Sequence, residues 1–411
     1  MKIALIQPKF EYVMPYRITP LSLSILATLS DDIALVDIID NNFEKVKSYN
    51  YDLVGISCTS FSAPSAYKLA DKFRKKGVKV VLGGVHPTFC LDEALMHADC
   101  VVIGEAEAVW RKVLADFSKG KLQKVYKGGF IDMEKLPIVK LKYRQKRNSM
   151  FYSIPLLMQT SRGCVYDCDF CSVTKFSGRK MRHRRVLDVV KEIKLNKAKS
   201  VFFVDDNIVG DFLYAEKLFR ALIPLKIKWG AQVPLNFARN DKFVKLAKKS
   251  GCRRLFVGVE SINQDSINEV SNKCRVKEYE KQIKILRDND IIVWAGFIFG
   301  FDHDNKDVFS KTLDFCYKNK IDVVNFHPLA AFPGTGLFTS KELVKDYLVK
   351  PSQMTVDELL DGIKLVYEKF YSWPKVIKRT VWQLKRDWYK PLKLLKFIYL
   401  SRGYYKSAVK A

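Results

Sequence analysis

Short runs that are apolar at nearly every position, each followed by a segment of helical periodicity, recur along most of this chain. Such strands suit a parallel sheet with both faces covered, because a half-exposed strand alternates apolar and polar residues. In residues 1–120 the strand patterns fall at 3–7, 33–38, 53–57, 78–82 and 100–103, with helical patterns near 20–29, 43–47, 63–76, 91–97 and 105–118. Five β/α repeats in that length predict a flavodoxin-like, doubly wound α/β domain. Residues 121–154 are basic, broken by Gly and Pro, and read as a linker. A second series places strands at 156–160, 200–204, 227–232, 255–259, 291–299 and 323–327, with helical patterns such as 186–194, 214–222 and 277–288. Six units are too few to close an eight-stranded barrel, so residues 155–340 predict a partial (β/α)6 barrel. Residues 341–411 read as a helical extension, basic and aromatic. In both architectures ligands gather at the carboxyl ends of the strands.

Composition narrows the setting. The chain has 411 residues, 48% of them apolar, which supports two packed cores. No apolar run reaches the roughly 18 residues of a membrane span. The start, MKIALIQPKF, enters a strand pattern directly, without the apolar core of a signal peptide. A cytoplasmic location is expected. The formal charge of +27 suits nucleic acid, an anionic membrane or an anionic substrate, and equally a generally Lys-rich composition. Residues 364–411 hold thirteen Lys/Arg against Glu368 and Asp387, interleaved with Trp373, Trp382, Trp388, Tyr389, Phe397, Tyr399, Tyr404 and Tyr405. Such a tail either lies peripherally on a membrane or packs its aromatics on the barrel. Spread-out basic residues are weak grounds for nucleic acid.

Nine cysteines without spaced pairs argue against a disulfide framework. Cys58, Cys90, Cys100, Cys252, Cys274 and Cys316 are scattered. Cys164, Cys168 and Cys171 are not: TSRGCVYDCDFC sets them in a C-x3-C-x2-C loop just after the second series' first strand. Three thiolates on so short a loop can face one metal centre and leave a coordination position open for chemistry. A structural zinc knuckle is the competing reading, although the nearest histidine, His183, lies twelve residues on.

Cys164-x3-Cys168-x-Phe170-Cys171 resembles the signature of the radical S-adenosylmethionine (SAM) enzymes. The longer stretch RGCVYDCDFCSVTKFSGRKMRHR, with VFFVDDN later, is similar to the cobalamin-dependent branch that includes the hopanoid methylases. The resemblance implies that the three thiolates hold a 4Fe-4S cluster, that the methionyl group of SAM chelates its fourth iron, and that the barrel is a radical SAM barrel. Asp205 or Asp206, after the second strand, then stands where the family contacts the cofactor's amino group. An N-cap is the alternative there. Glu260 resembles the acid that binds the ribose hydroxyls, with Ser261 as companion, and Phe170 is the aromatic of the signature. Gly296, and Gly300 beyond it, would let backbone approach the adenine, or serve only as turn residues.

In the N-terminal domain, Gly83-Gly84-Val85-His86-Pro87-Thr88 and Gly104-Glu105-Ala106-Glu107 are similar to the GG-x-HPT and GEGE elements of cobalamin-binding domains in this branch. Gly83, Gly84, His86, Gly104 and Glu105 are therefore the candidate cobalamin contacts. The D-x-H-x-x-G motif that ligates cobalt elsewhere is absent, as is usual in the branch. The implied activity is C-methylation of an unactivated carbon by way of a 5′-deoxyadenosyl radical. The implied partners are a small-molecule substrate, lipids included, and an electron donor such as a flavodoxin or ferredoxin. Radical cyclisation or rearrangement is the alternative within the superfamily. A basic nucleic-acid- or membrane-binding protein with a structural metal is the alternative outside it.

Overall fold

Side chains of the first sheet alternate between two separate cores. The computed structural model describes residues 1–10, 20–140, 156–270, 275–345 and 347–384. These form two compact units. The first takes the described residues up to Gly163 together with Ser172–Ala198, and the second takes Cys164–Cys171 and the described residues from Lys199 onward.

In the first unit, β1 (Lys2–Gln7), β2 (Leu35–Asp40), β3 (Leu53–Ser57), β4 (Lys79–Gly83), β5 (Cys100–Ile103) and β6 (Val125–Lys127) form a parallel sheet in the order β2-β1-β3-β4-β5-β6. That is the flavodoxin-like winding expected. Ala4, Ile6, Val54, Ile56, Val80, Leu82 and Val101 enter one core, and their neighbours Ile3, Leu5, Leu53, Val81, Cys100 and Val102 the other. Each fully buried aliphatic side chain contributes about 1.5–3 kcal/mol, which is why both faces must be covered. Helices α1 (Leu21–Leu29), α2 (Ala63–Lys75), α3 (Val85–Phe89), α4 (Leu91–His97) and α5 (Trp110–Ser118) provide that cover. Trp110 packs over Gly55, where a Cβ would lie 3.2 Å from its ring, and its indole N–H donates to Ser30 Oγ at 2.8 Å.

Two expectations differ here. The helix read at 43–47 does not form: the chain makes a single turn at 41–44, with Phe43 and Glu44 N–H on the Asp40 carbonyl, and does not continue it. The 121–154 linker is not free-standing either. Its β6 extends the sheet, and Met133, Leu136 and Val139 pack with Ile25. Further on, β7 (Leu157–Met158) is shorter than the strand expected there, and β8 (Ser161–Arg162) pairs antiparallel with β9 (Arg182–His183). Helices α6 (Val173–Ser177) and α7 (Val186–Leu195) complete the first unit.

The second unit carries β10 (Ser200–Phe203), β11 (Lys228–Pro234), β12 (Cys252–Glu260), β13 (Ile292–Phe299) and β14 (Val323–Pro328), all parallel and each paired with the next. Helices α8 (Phe212–Leu222), α9 (Asp241–Lys249), α10 (Gln264–Val270), α11 (Tyr279–Asp288) and α12 (Asp307–Lys318) connect them. This is the β/α series of a partial barrel. Asp211 caps α8 and Asn240 caps α9 through their side chains.

After β14 come α13 (Gly336–Ser340), α14 (Val356–Phe370) and α15 (Trp373–Leu384). A Thr355/Glu358 capping box starts α14. Strand β14 ends the order of the second sheet, and α14 lies against it. The Tyr371 hydroxyl accepts from Val324 N–H (3.1 Å) and donates to Val324 carbonyl (2.7 Å), while Tyr367 accepts from Phe326 N–H (2.9 Å). Residues 364–371 of the basic tail therefore cover the barrel. The tail beyond residue 384, with Trp388, Tyr389, Phe397, Tyr399, Tyr404 and Tyr405, lies outside the described residues. Among the described residues no helix is long and apolar enough to cross a membrane.

Candidate active site

The cysteine loop is held from several sides of its own unit. Cys171 N–H donates to Cys168 carbonyl at 2.9 Å, which curls the loop. Asp169 N–H donates to Val270 carbonyl at the end of α10, and Asp169 carbonyl accepts from Leu337 N–H of α13. The Asn236 amide donates to Tyr166 hydroxyl at 2.8 Å. Phe170 packs beside Val270, Phe301, Leu329 and Leu337, so the aromatic of the signature anchors the loop in the core. Cys168 is buried, whereas Cys164 and Cys171 are partly open.

The spread of the thiols bears on what they can hold. One zinc ion with bonds of about 2.3 Å would draw thiolates to about 3.8 Å from one another. Among the described residues, the ligand atoms gathered within 4.8 Å in this way are those of His86, Cys90 and Glu93, not the three cysteines. In a 4Fe-4S cluster each cysteine sulfur binds its own iron, so the ligands need not converge on one point. Asn207 adds a donor: its amide nitrogen lies 3.9 Å from Cys164 Sγ, and its carbonyl accepts Val209 N–H at 3.3 Å. N–H···S contacts of this kind tune cluster potentials. In the sequence Asn207 is only the last residue of VFFVDDN, and Tyr166 and Asn236 carry no signal.

Further chemically active groups stand at strand ends of the same unit. Asp205, buried, and Asp206, partly exposed, follow β10. Glu260 closes β12 with φ +64°, beyond a register shift between Gly258 and Glu260. A bulky residue held in left-handed backbone is strained, and such strain concentrates at functional positions. Its carboxylate folds back so closely that a Cβ at Gly258 would meet Oε1. Desolvation pushes the His327 imidazole, at the end of β14, down to about 4 against the opposing pull of Glu260, so the ring is neutral at pH 7. His327 carried no sequence signal of its own.

Two assigned residues are otherwise engaged. Ser261 Oγ accepts from Asn263 N–H at 3.0 Å, a turn contact. Gly296 sits within β13, where a Cβ would come 2.9 Å from the Phe256 ring, so its smallness is used by packing. The turn beyond β13 is organised by buried Asp304, whose carboxylate takes Gly300 N–H, Phe301 N–H and Ser266 Oγ. Desolvation raises that carboxyl above its ordinary range despite the three donors.

In the first unit, the glycines follow β4 and β5 as expected. Gly83 ends β4. Gly84 (φ +113°) and Gly104 (φ +76°) have left-handed backbone, and a Cβ on either would strike a carbonyl oxygen, of Cys58 or of Gly128, at 2.5 Å. Both require glycine for chain crossing alone. The side chains between them turn inward. His86 is 1% exposed, and burial holds its imidazole below the ordinary value although Glu93 pulls it upward. Burial likewise pushes the neighbouring Cys58 thiol up to about 12.

Glu105 is 2% exposed and takes both Arg182 guanidinium nitrogens, Ile131 N–H at 2.7 Å and Arg162 at 3.3 Å. Burial alone would raise its carboxyl, and the Arg182 hydrogen bonds and Arg162 charge outweigh that and hold it low. Arg162 also reaches Glu107 at 2.5 Å, and Arg182 stacks on Phe130. His86 is thus fixed through Ser60 and Glu105 through Arg162 and Arg182, a network invisible in the sequence because its arginines lie far from its acids.

Comparison with known proteins agrees with this geometry. A family model described as the radical SAM superfamily matches residues 158–316, and one described as the B12 binding domain matches residues 13–114. The bacteriochlorophyllide d C-12(1)-methyltransferase of Chlorobaculum tepidum is 30% identical over 404 residues, covering 91% of this chain and 88% of its own. The hopanoid C-2 methylase of Rhodopseudomonas palustris is 24% identical over 343 residues, covering 78% and 63%. Among solved structures, the radical SAM methyltransferase TsrM from Kitasatospora setae, with cobalamin and a 4Fe-4S cluster bound, superposes with a TM-score of 0.66 at 17% identity, over 82% of this chain and 76% of that one.

Proposed function

Because the chain belongs to the cobalamin-binding branch of the radical SAM family, we propose that it methylates an unactivated carbon of an extended, largely apolar small molecule. Its cofactors are a 4Fe-4S cluster, SAM and cobalamin. When bound, they supply one-electron reducing power, hydrogen-atom abstraction and a transferable methyl group. Cys164, Cys168 and Cys171 would hold the cluster, and Asn207 would orient Cys164 and stabilise its thiolate. Glu260 would accept from two ribose hydroxyls at once, as a carboxylate can. Asp205 or Asp206 would meet the cofactor's amino group. The backbone at Gly83-Gly84 and Gly104 would form the corrin-facing edge, with His86 and Glu105 holding those turns in place.

The observation that carries the reading is the loop of Cys164, Cys168 and Cys171, held by Val270, Leu337 and Asn236 of its own unit, with the Asn207 amide 3.9 Å from Cys164 Sγ. Methyl transfer itself is supported by identity to a methyltransferase spread over 91% of the chain. The substrate class draws on relatives named for bacteriochlorophyllide and hopanoid chemistry. The test uses anaerobically reconstituted protein with corrinoid, SAM and a flavodoxin- or ferredoxin-type donor, offered tetrapyrroles and polycyclic lipids. A product heavier by one methylene, formed together with 5′-deoxyadenosine, is expected. Cofactor cleavage with no methylated product from any of them would overturn the methyl-transfer reading.

A lipid surface as the source of substrate is a further part of this proposal. It is supported by Trp373 and Ile377, 51% and 55% exposed one turn apart on α15, with Lys375 and Lys378 close by in sequence. Intact protein should co-sediment with anionic vesicles at low salt and detach as salt rises. Indifference to anionic vesicles at low salt would remove the lipid-surface reading and leave methyl transfer standing.

A further inference from the structure

One cluster of chemically active side chains is left over, and it lies in the first unit. His86 lies on α3, Glu93 on α4, and Cys90 is the non-helical residue that joins the two short helices. A nitrogen, a sulfur and a carboxylate oxygen from these residues all lie within 4.8 Å of one another. His86 Nε2 stands 3.5 Å from the Glu93 carboxylate, is buried, and makes no hydrogen bond. The other ring nitrogen, Nδ1, lies 3.1 Å from Ser60 Oγ, which fixes the ring plane. An imidazole oriented through one nitrogen, with the other turned toward a carboxylate and a thiol, is arranged as metal-ligating histidines are.

We propose that His86 Nε2, Cys90 Sγ and the Glu93 carboxylate bind a divalent cation of the zinc class, at a site separate from the iron–sulfur cluster. Bonds of about 2.0–2.3 Å in a tetrahedron set ligand atoms about 3.3–3.8 Å apart. The His86–Glu93 separation already falls in that range. The mixed N, S, O donor set suits zinc and its neighbours over magnesium or calcium, which take oxygen. The Glu93 side chain is 48% exposed, so it can complete the site by a rotamer change, and the ion has a path in. The bound ion would staple α3 to α4 directly below the Gly83-Gly84 turn.

The test needs no turnover. Full-length protein, reconstituted with its cluster and produced without corrinoid, is titrated with zinc against a chromophoric chelator, and separately with Co2+ to read thiolate-to-metal absorption. One zinc per chain beyond the iron complement is expected. Cys90→Ser and Glu93→Gln should weaken it by more than the ~10–100-fold that follows loss of a ligand's hydrogen-bond partner, and Ser60→Ala by about 10-fold. Iron content should be unchanged in all three. Cys90 and Glu93 are used because they are less buried than His86, and circular dichroism confirms that each variant is folded. A chain with Cys164, Cys168 and Cys171 all replaced by Ala should still take up the zinc. Absence of extra zinc, equal affinity in Cys90→Ser, or loss of zinc with the cluster cysteines would each overturn the proposal and leave the assigned activity untouched.

Discussion

Changing Glu105 to Gln keeps the shape of a buried side chain and removes the charge that Arg162 and Arg182 both contact. Arg162 keeps Glu107, so the cation left stranded is Arg182, whose side chain is 15% exposed. Breaking a buried pair by removing one partner costs about 3–5 kcal/mol, and the retained Arg162–Glu107 contact favours the lower end, about 3 kcal/mol. For a unit of this size each kcal/mol moves the melting temperature by roughly 2–4 °C, so the first unit should melt about 6–12 °C lower at pH 7. The effect has a direction in pH. The Glu105 carboxyl is held below its ordinary value of 4.5, so its stabilisation is complete above that value and is lost as pH falls through the lowered one. Wild type and variant should therefore converge in acid.

Thermal unfolding of cluster-free protein, followed by circular dichroism from pH 7 down to pH 3.5, measures both features. The variant Glu105→Gln with Arg182→Gln should recover part of the loss, because the stranded charge is gone. A variant within 1 °C of wild type at pH 7, by our ~6 °C minimum, would refute the bracing role. So would a gap that does not narrow in acid. Weakened corrinoid binding without a change in melting would instead restore Glu105 to the ligand-facing edge.

Replacing Cys164, Cys168 or Cys171 by Ala should abolish the site-differentiated cluster and all SAM cleavage, whereas Cys58→Ala and Cys316→Ala should leave iron content unchanged. Iron analysis and the cluster's absorption decide this, and full cleavage by Cys168→Ala would remove the assignment. Glu260→Ala should raise the SAM dissociation constant about 10- to 150-fold, from roughly 1.5–3 kcal/mol for a hydrogen bond to a charged group. Titration of cluster-loaded protein reads it, and unchanged affinity would mean that the strained strand end is structural only. Tyr371→Phe removes both hydrogen bonds to Val324 and should lower stability by about 1–3 kcal/mol, seen as a reduced urea midpoint with an unchanged slope. An unchanged midpoint would show that solvent replaces the phenol freely.

The strands were legible because burial on both faces leaves an uninterrupted apolar run, as in Leu53–Ser57 and Ile292–Phe299. Short elements were not. The pattern at 43–47 is a single turn on Asp40 that goes no further, and Val125–Lys127 is too brief to stand out inside a basic stretch. The cysteine loop could be read because its ligands are neighbours in sequence. The groups that brace it, Asn207 and Asn236, are common residue types whose partners lie 43 and 70 positions away. His86 and Glu105 sit in loops correctly placed at the sheet edge. Whether a side chain on such a loop points out or in depends on partners elsewhere, here Ser60, Arg162 and Arg182.

The hydroxyls of Tyr367 and Tyr371 occupy backbone positions on β14 that a further strand would otherwise take. Order of synthesis gives this arrangement a consequence. All five strands of the second unit leave the ribosome before α14 does, so during that interval the last strand offers bare N–H and carbonyl groups to any extended chain nearby. Nascent protein stalled or cleaved before residue 371 would carry that adhesive margin permanently, and a finished chain loses it only when the two phenols dock. The helix is thus the unit's safeguard against self-association as well as its cover, and polypeptides shortened by a few dozen residues should accumulate as aggregates even though every strand and every cluster ligand is present.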